Sequence, residues 1–255
     1  MSSAPIKPVA LVTGGTSGIG RATALAYAKA GYRVVVAGRR EAEGQHVVDE
    51  ITKAGGESRF VRTDVTKEAE VAALVESTLT AYGRLDAAFN NAGIEGATGK
   101  RTHEATVEDF RAVMDANVLG VLLSMKHEIP ALLRSGGGAI VNTSSVAGVI
   151  AMPTASVYTA SKHAVIGLTK TAALEYAKEG VRVNAVNPAA TQSDMLDRFT
   201  GGADSDFRKQ LAAMHPIGRI AQAEEIADAV VFLSSPKASF ITGQALSIDG
   251  GWTAQ

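Results

Sequence analysis

Short, almost wholly apolar runs alternate along the chain with longer stretches whose apolar residues recur at helical spacing. Val9 to Thr13, Arg33 to Ala37, Arg59 to Thr63, Leu85 to Phe89, Ala139 to Thr143, Val181 to Val186 and Ala245 to Ile248 read as strands. The runs are continuous rather than alternating, the pattern of strands buried on both faces. Between them, Arg21 to Ala30, Ala42 to Ala54, Glu68 to Tyr82, Val107 to Leu133, Ser156 to Lys178 and Ala223 to Leu233 carry helical periodicity. This alternation predicts an α/β fold, a parallel sheet of about seven strands with helices on both faces. Right-handed crossovers make the doubly wound arrangement the natural one. No composition break marks a linker and no repeat is visible, so residues 1–255 are expected to form a single domain.

One stretch breaks the rhythm. Residues at about 191–216 are polar and mixed, with Gly201, Gly202, Asp204 and Asp206 near the middle. They read as a substrate lid or a short helical excursion beyond the sheet, a plain surface loop being the alternative.

With 255 residues, 46% of them hydrophobic, the chain can bury one sizeable core. Its 25 basic and 26 acidic residues nearly cancel, which gives no electrostatic basis for holding nucleic acid or an anionic membrane. Cysteine is absent, so disulfides, thiol catalysis and thiolate-bound metals are excluded. The first eight residues contain no apolar signal core, and no apolar run is long enough to span a bilayer. A cytoplasmic location is the expectation. His46, His103, His127, His163 and His215 lack metal-ligand spacing, and no metal is expected.

The candidate chemistry begins after the first strand, where Thr13 is followed by Gly14, Gly18 and Gly20 and then a helical pattern. Glycine permits positive φ and close backbone approach, and the helix N-terminus offers free N–H groups to a pyrophosphate. In such a Rossmann-type unit an acidic residue after the second strand would hold the adenosine ribose of NAD. Here Gly38 occupies that place and Arg39 and Arg40 follow. Guanidinium groups match a 2′-phosphate, so NADP(H) is the preferred cofactor expected, with NAD(H) possible if Glu41 and Glu43 neutralise the arginines or these only face solvent. Asp64, after the third strand, is placed to bind adenine or to cap the next helix. Asn90-Asn91-Ala92-Gly93, after the fourth, forms either a wall for a ribose or a plain turn.

Tyr158 and Lys162 are four residues apart and share a helix face. An ammonium beside a phenol favours the phenolate, which would make Tyr158 a usable acid and base near neutrality. Ser145, at the end of the fifth strand, can donate to a carbonyl oxygen on which negative charge develops.

Taken in order, the Thr13–Gly20 turn, Asn90-Asn91-Ala92-Gly93, Asn117, Ser145, Tyr158-x-x-x-Lys162, Asn187-Pro188 and Ile248-Asp249-Gly250-Gly251 resemble the short-chain dehydrogenase/reductase (SDR) family over nearly the whole chain. The resemblance implies a catalytic set of Ser145, Tyr158, Lys162 and Asn117, with a kinked helix backbone at Asn117 holding a water that leads to Lys162. Together with the readings above, cofactor contacts are expected from Gly14, Thr16, Ser17, Gly18, Ile19, Gly20, Arg39, Arg40, Asp64, Val65, Asn91, Ala92, Gly93, Tyr158, Lys162, Pro188, Ala189, Thr191 and Ser193. Ala189 stands where the family usually has Gly, and Ser193 where a Thr binding the nicotinamide carboxamide is usual. The family resemblance also implies a homotetramer built on the helices after the fourth and fifth strands; the small residues Ala160, Ala164 and Ala172 suit close packing there or within one chain.

Glu95, Val146, Met152, Met195, Leu196 and Phe199 are the candidate substrate residues, with Val149 and Ile150 nearby. No Lys or Arg cluster suggests a phosphorylated substrate, so a neutral ketone or secondary alcohol, cyclic or aromatic, fits best. The expectation is an oxidoreductase transferring hydride between NADP(H) and such a substrate. Alternatives are an NAD-preferring alcohol dehydrogenase of the same family, a non-catalytic dinucleotide sensor, and a nucleotide-sugar epimerase or dehydratase, whose relatives generally carry a longer C-terminal region.

Overall fold

The computed structural model describes residues 7–202 and 204–254, and the side chain of Phe199 lies outside that description. The strands are β1 (Val9–Thr13), β2 (Arg33–Gly38), β3 (Ser58–Arg62), β4 (Ala87–Asn90), β5 (Gly138–Thr143), β6 (Val181–Pro188) and β7 (Ala245–Ile248). Helices α1 (Gly18–Lys29), α2 (Glu41–Lys53), α3 (Glu68–Tyr82), α4 (Val107–Met114), α5 (Gly120–Arg134), α6 (Ser156–Tyr176), α7 (Asp194–Thr200), α8 (Asp206–Ala213) and α9 (Ala223–Ser234) connect them. All pairings are parallel, in the order β3-β2-β1-β4-β5-β6-β7.

Successive strand residues feed opposite faces. Leu11, Val35, Ala88 and Ile140 pack with Leu74, Val121 and Val165 from α3, α5 and α6. Val12, Val36, Phe89 and Val141 pack with Tyr27, Val47, Ile226 and Val230 from α1, α2 and α9. Each fully buried aliphatic or aromatic side chain contributes roughly 1.5–3 kcal/mol. The two faces together explain why the strands read as unbroken apolar runs.

The helical pattern from Val107 to Leu133 is not one helix. Thr106 caps α4 by accepting from the Asp109 N–H at 3.1 Å, and the helix then widens into a π turn over Asp115–Leu119 before α5 resumes. The wider turn is a local insertion within a long helical run, and the periodicity of Val107 to Leu133, read as one stretch, does not separate it.

The chain reverses its winding between β1 and β4, where Thr13 pairs in register with Asn90. Thr13 Oγ1 accepts from Asn91 N at 3.1 Å and Ala92 N at 3.4 Å, which joins the two loops at the C-terminal edge of the sheet. Beneath them lies a buried polar cluster. Asn90 Nδ2 donates to Glu128 Oε2 and Asn142 Oδ1, both at 3.0 Å, and Asn142 Nδ2 donates to Thr169 Oγ1 at 2.9 Å. Glu128 is 1% exposed, and its Oε1 and Asn90 Oδ1 have no partner among the described residues.

Candidate active site

A cavity of about 850 Å³ opens along the C-terminal edge of the sheet. Its near end is the turn after β1. Gly14 and Gly18 sit at φ +63° and +51°, in the left-handed region that a side chain resists. Gly20 has another constraint: a Cβ there would lie 2.1 Å from Gly14 O. Asn91 Nδ2 donates to Gly14 O at 3.1 Å and so pins the turn to the β4 loop. Ser17 precedes α1 without capping it, which leaves the first-turn N–H groups of that helix open to an anion.

Beside the turn, Arg40 donates to Ser17 Oγ at 2.7 Å and to Thr16 Oγ1 at 3.2 Å, while Glu43 stands 3.6 Å from its guanidinium. A Cβ at Gly38 would lie 2.7 Å from Thr16 Cγ2, so a carboxylate cannot take that place without displacing Thr16. Burial pushes the Asp64 carboxyl up. The Thr66 N–H and hydroxyl and the Arg39 charge outweigh burial and hold it below its ordinary value. Asp64 Oδ1 therefore caps the local turn through Thr66 while lining the cavity.

The far end carries the hydroxyl, phenol and ammonium groups. Ser144 and Ser145 both line the cavity, but the buried Ser144 hydroxyl is spent on Lys162 O at 2.9 Å, whereas Ser145 accepts from Ala147 N at 3.2 Å and donates to Pro188 O at 3.5 Å. Lys162 Nζ donates to Thr143 O at 2.9 Å and lies 5.5 Å from the Tyr158 ring centre. Burial holds the Lys162 ammonium down, to about 8. The Tyr158 phenol goes the other way. Burial raises it, the hydrogen bond with Ser145 opposes the rise and the Glu95 charge reinforces it. The expected lowering of Tyr158 by Lys162 is thus reversed in the protein alone, because desolvation of the phenolate outweighs its neighbours.

Asn117 stands behind the wall, in the π turn. Its side chain accepts from Ile94 N at 2.8 Å and donates to Ile94 O at 2.9 Å and Ser161 Oγ at 3.1 Å, tying the β4 loop to α6. Ser193 caps α7 by accepting from Leu196 N at 3.2 Å, and its own hydroxyl donates to Thr191 O at 3.1 Å.

Of the residues expected at the cofactor, all but Gly20 line this cavity. Gly20, like Asn117, supports the wall from behind. Among the expected substrate residues Glu95, Val146, Met152, Met195 and Leu196 line it, and Phe199 has a side chain outside the described residues. Val146 and Leu196 pack with Leu211 and Trp252, which the sequence reading missed. Trp252 directly follows the Ile248-Asp249-Gly250-Gly251 motif and is the sole tryptophan, but no motif position assigns it to the substrate lobe. Arg198 was missed as well, and it reaches Glu95 at 3.4 Å. The lid stretch is two short helices, α7 and α8, held by an ion pair from Arg208 to Asp197 at 2.5 Å. Among the described residues no group of His, Asp and Glu is arranged to hold a metal, and no helix is long and apolar enough to cross a membrane. Ala172 is buried within its own domain, whereas Ala160 is exposed.

Known proteins match this arrangement along most of the chain. A family model described as enoyl-(acyl carrier protein) reductase matches residues 14–253. A cyclohexanol dehydrogenase from Acinetobacter sp. is 43% identical over 247 residues, covering 97% of this chain and 95% of the relative. A 2,5-dichloro-2,5-cyclohexadiene-1,4-diol dehydrogenase from Sphingobium indicum is 46% identical over 245 residues, covering 96% of each. A 3-ketoacyl-(acyl-carrier-protein) reductase from Brucella melitensis complexed with NADH superposes with a TM-score of 0.89 at 36% identity, covering 96% of this chain and 98% of that one. ElxO with NADP bound superposes at 0.90 with 33% identity, covering 98% and 100%. The likeness runs through the whole sheet and is not confined to one motif, and the chain belongs to the short-chain dehydrogenase/reductase family of NAD(P)-dependent oxidoreductases acting on CH–OH groups.

Proposed function

We propose that the protein interconverts a cyclic ketone and its secondary alcohol with NADP(H) as preferred cofactor, and that Tyr158 is the general acid and base. The observation that carries this is a single cavity running from Arg40, hydrogen-bonded to two hydroxyls of the glycine turn, to Tyr158 and Ser145 beside an apolar lobe of Val146, Met152, Leu196 and Trp252. The names of the relatives, a cyclohexanol dehydrogenase and a cyclohexadiene-diol dehydrogenase, favour a six-membered ring in that lobe.

Gly14, Gly18 and the open N-terminus of α1 would hold the pyrophosphate, and Arg40 with Thr16 and Ser17 the 2′-phosphate. Bound there, a nicotinamide dinucleotide supplies hydride to a carbonyl or takes it from an alcohol. Ser145 holds the substrate oxygen and stabilises the charge that grows on it. Tyr158, kept protonated by burial at neutral pH, donates the proton in reduction; oxidation requires the phenolate and gains as pH rises. Lys162 holds positive charge beside the phenol, and the π turn at Asn117 is the route by which solvent restores the proton. The apolar wall excludes water and selects an uncharged ring.

Exposed Leu119, Leu122 and Leu174 on the π turn, α5 and α6, and fully exposed Phe240, suit burial against further copies in a homotetramer, which light scattering tests. The function is tested by initial rates of NADPH and NADH oxidation with cyclohexanone and substituted cyclic ketones. Faster turnover with NADPH is expected. Faster turnover with NADH would overturn the role of Arg40, and no turnover with any ketone or alcohol would overturn the substrate class.

A further inference from the structure

A pair of charges stands outside the Ser145, Tyr158 and Lys162 group and joins the lid to the sheet. Arg198 Nη2, on α7, lies 3.4 Å from Oε1 of Glu95, just beyond β4 and 103 residues away in sequence. Both line the cavity. The Glu95 side chain is 24% exposed and that of Arg198 63% exposed, so the carboxylate is the less screened member and its field reaches further into the cavity. Burial is the main reason the Tyr158 phenol keeps its proton; the hydrogen bond with Ser145 opposes this, and the Glu95 charge adds to it.

The lid does not need this pair to stay folded. Arg208 bonds Asp197 and Gln192, Thr191 forms a bridge to Ala221, and Leu196 and Leu211 pack with Trp252. The Glu95 to Arg198 contact is thus free to act as a latch between a self-contained lid and the β4 end. Other charged groups face the same space in different ways. Lys162, on α6, is buried and tied to Thr143 O. Asp115, at the π turn, and Asp194, at the start of α7, line the cavity but are exposed. Arg39, Arg40 and Asp64 stand at the adenosine end.

We propose that Glu95 and Arg198 are positioning residues that couple the lid to proton transfer at Tyr158. With the latch closed, Arg198 offsets the carboxylate that lines the same cavity as the phenol; with the lid lifted, that carboxylate acts on the phenol unopposed. The inference rests on the role of Tyr158 argued above.

The test is the pH dependence of kcat/KM for secondary-alcohol oxidation, in which the rate rises through the joint titration of Tyr158 and Lys162. Glu95→Gln moves the midpoint of that rise to lower pH. Arg198→Gln moves it to higher pH, because the remaining carboxylate is no longer opposed. The double variant follows Glu95→Gln, since Arg198 acts through Glu95. Slower rates with unmoved midpoints would reduce the pair to a structural tie and overturn the proposal. So would an Arg198→Gln shift of equal size with and without Glu95. A wild-type protein inactive on every alcohol and ketone would instead overturn the role of Tyr158 on which the pair depends.

Discussion

Glu128 is a carboxylic acid sealed inside the protein, and its replacement by glutamine gives a signed prediction. Burial raises its pKa from 4.5 to about 7, with the Asn90 hydrogen bond opposing. The native state therefore keeps a proton that the unfolded chain has already released between those two values. Stability falls as pH rises across that window, because the native state binds more protons there than the unfolded one. The total loss is about 3 kcal/mol, the shift converted at ~1.4 kcal/mol per pH unit. The geometry supports the neutral form. Asn90 Nδ2 already donates to Glu128 Oε2, and Glu128 Oε1 finds no donor of the kind an ionised oxygen needs, whereas a protonated Oε1 is itself a donor. Glutamine offers an N–H in the same place at every pH. Urea unfolding of both proteins at fixed concentration, from pH 5 to pH 8, should give nearly equal stabilities at the acid end. The Glu128→Gln advantage should then grow to about 3 kcal/mol at the alkaline end. A difference that stays constant with pH would refute the reasoning, since a mere change in packing carries no proton.

Three further outcomes follow from the cavity. Tyr158→Phe should lower kcat by a factor of about 10² to 10⁴ while fluorescence titration finds dinucleotide affinity within roughly threefold of wild type; turnover near the wild-type rate would remove Tyr158 from the proton path. Arg40→Ala should raise the KM for NADPH by a factor on the order of 10 to 100, the loss of one charge-assisted contact, and leave that for NADH nearly unchanged; equal effects on both cofactors would mean that Arg40 merely braces Thr16 and Ser17. Gly20→Ala sets a methyl 2.1 Å from Gly14 O and should abolish dinucleotide binding, as measured by calorimetry; unaltered affinity would show that the turn relaxes at little cost.

Much of this was legible before the structure, for identifiable reasons. Strands buried on both faces announce themselves as apolar runs, and β1 and β7 begin and end where the sequence reading put them. β3 and β4 were misplaced by one or two residues, because Thr63 and Leu85 flank the strands with side chains that strands also accept, while Ser58 and Asn90, which belong to them, read as turn residues. The π turn is not legible in the periodicity of Val107 to Leu133; only the resemblance, which implies a kinked backbone at Asn117, points to an interruption there. The expected sign of the Tyr158 shift came from its neighbour four residues on, but burial, which no local pattern reports, reverses it. Glu128 was overlooked because a glutamate beside Lys126 and His127 reads as a solvent-facing position. Only the Asn90 amide, 38 residues earlier, explains why it lies inside. Arg198 and Trp252 belong to the site through tertiary approach alone.

The pairing of β1 with β4 also has a temporal side. A chain leaving the ribosome N-terminus first can close the glycine turn against Asn91 once β4 has emerged, Asn91 standing 77 positions after Gly14. Lys162 and Tyr158 arrive much later, and Trp252 later still. Pairs so distant in sequence close slowly. The glycine turn thus has its two loops long before the apolar lobe of the cavity has its walls. The two ends of the cavity are therefore completed in sequence order, the glycine-turn end first and the Tyr158 end last.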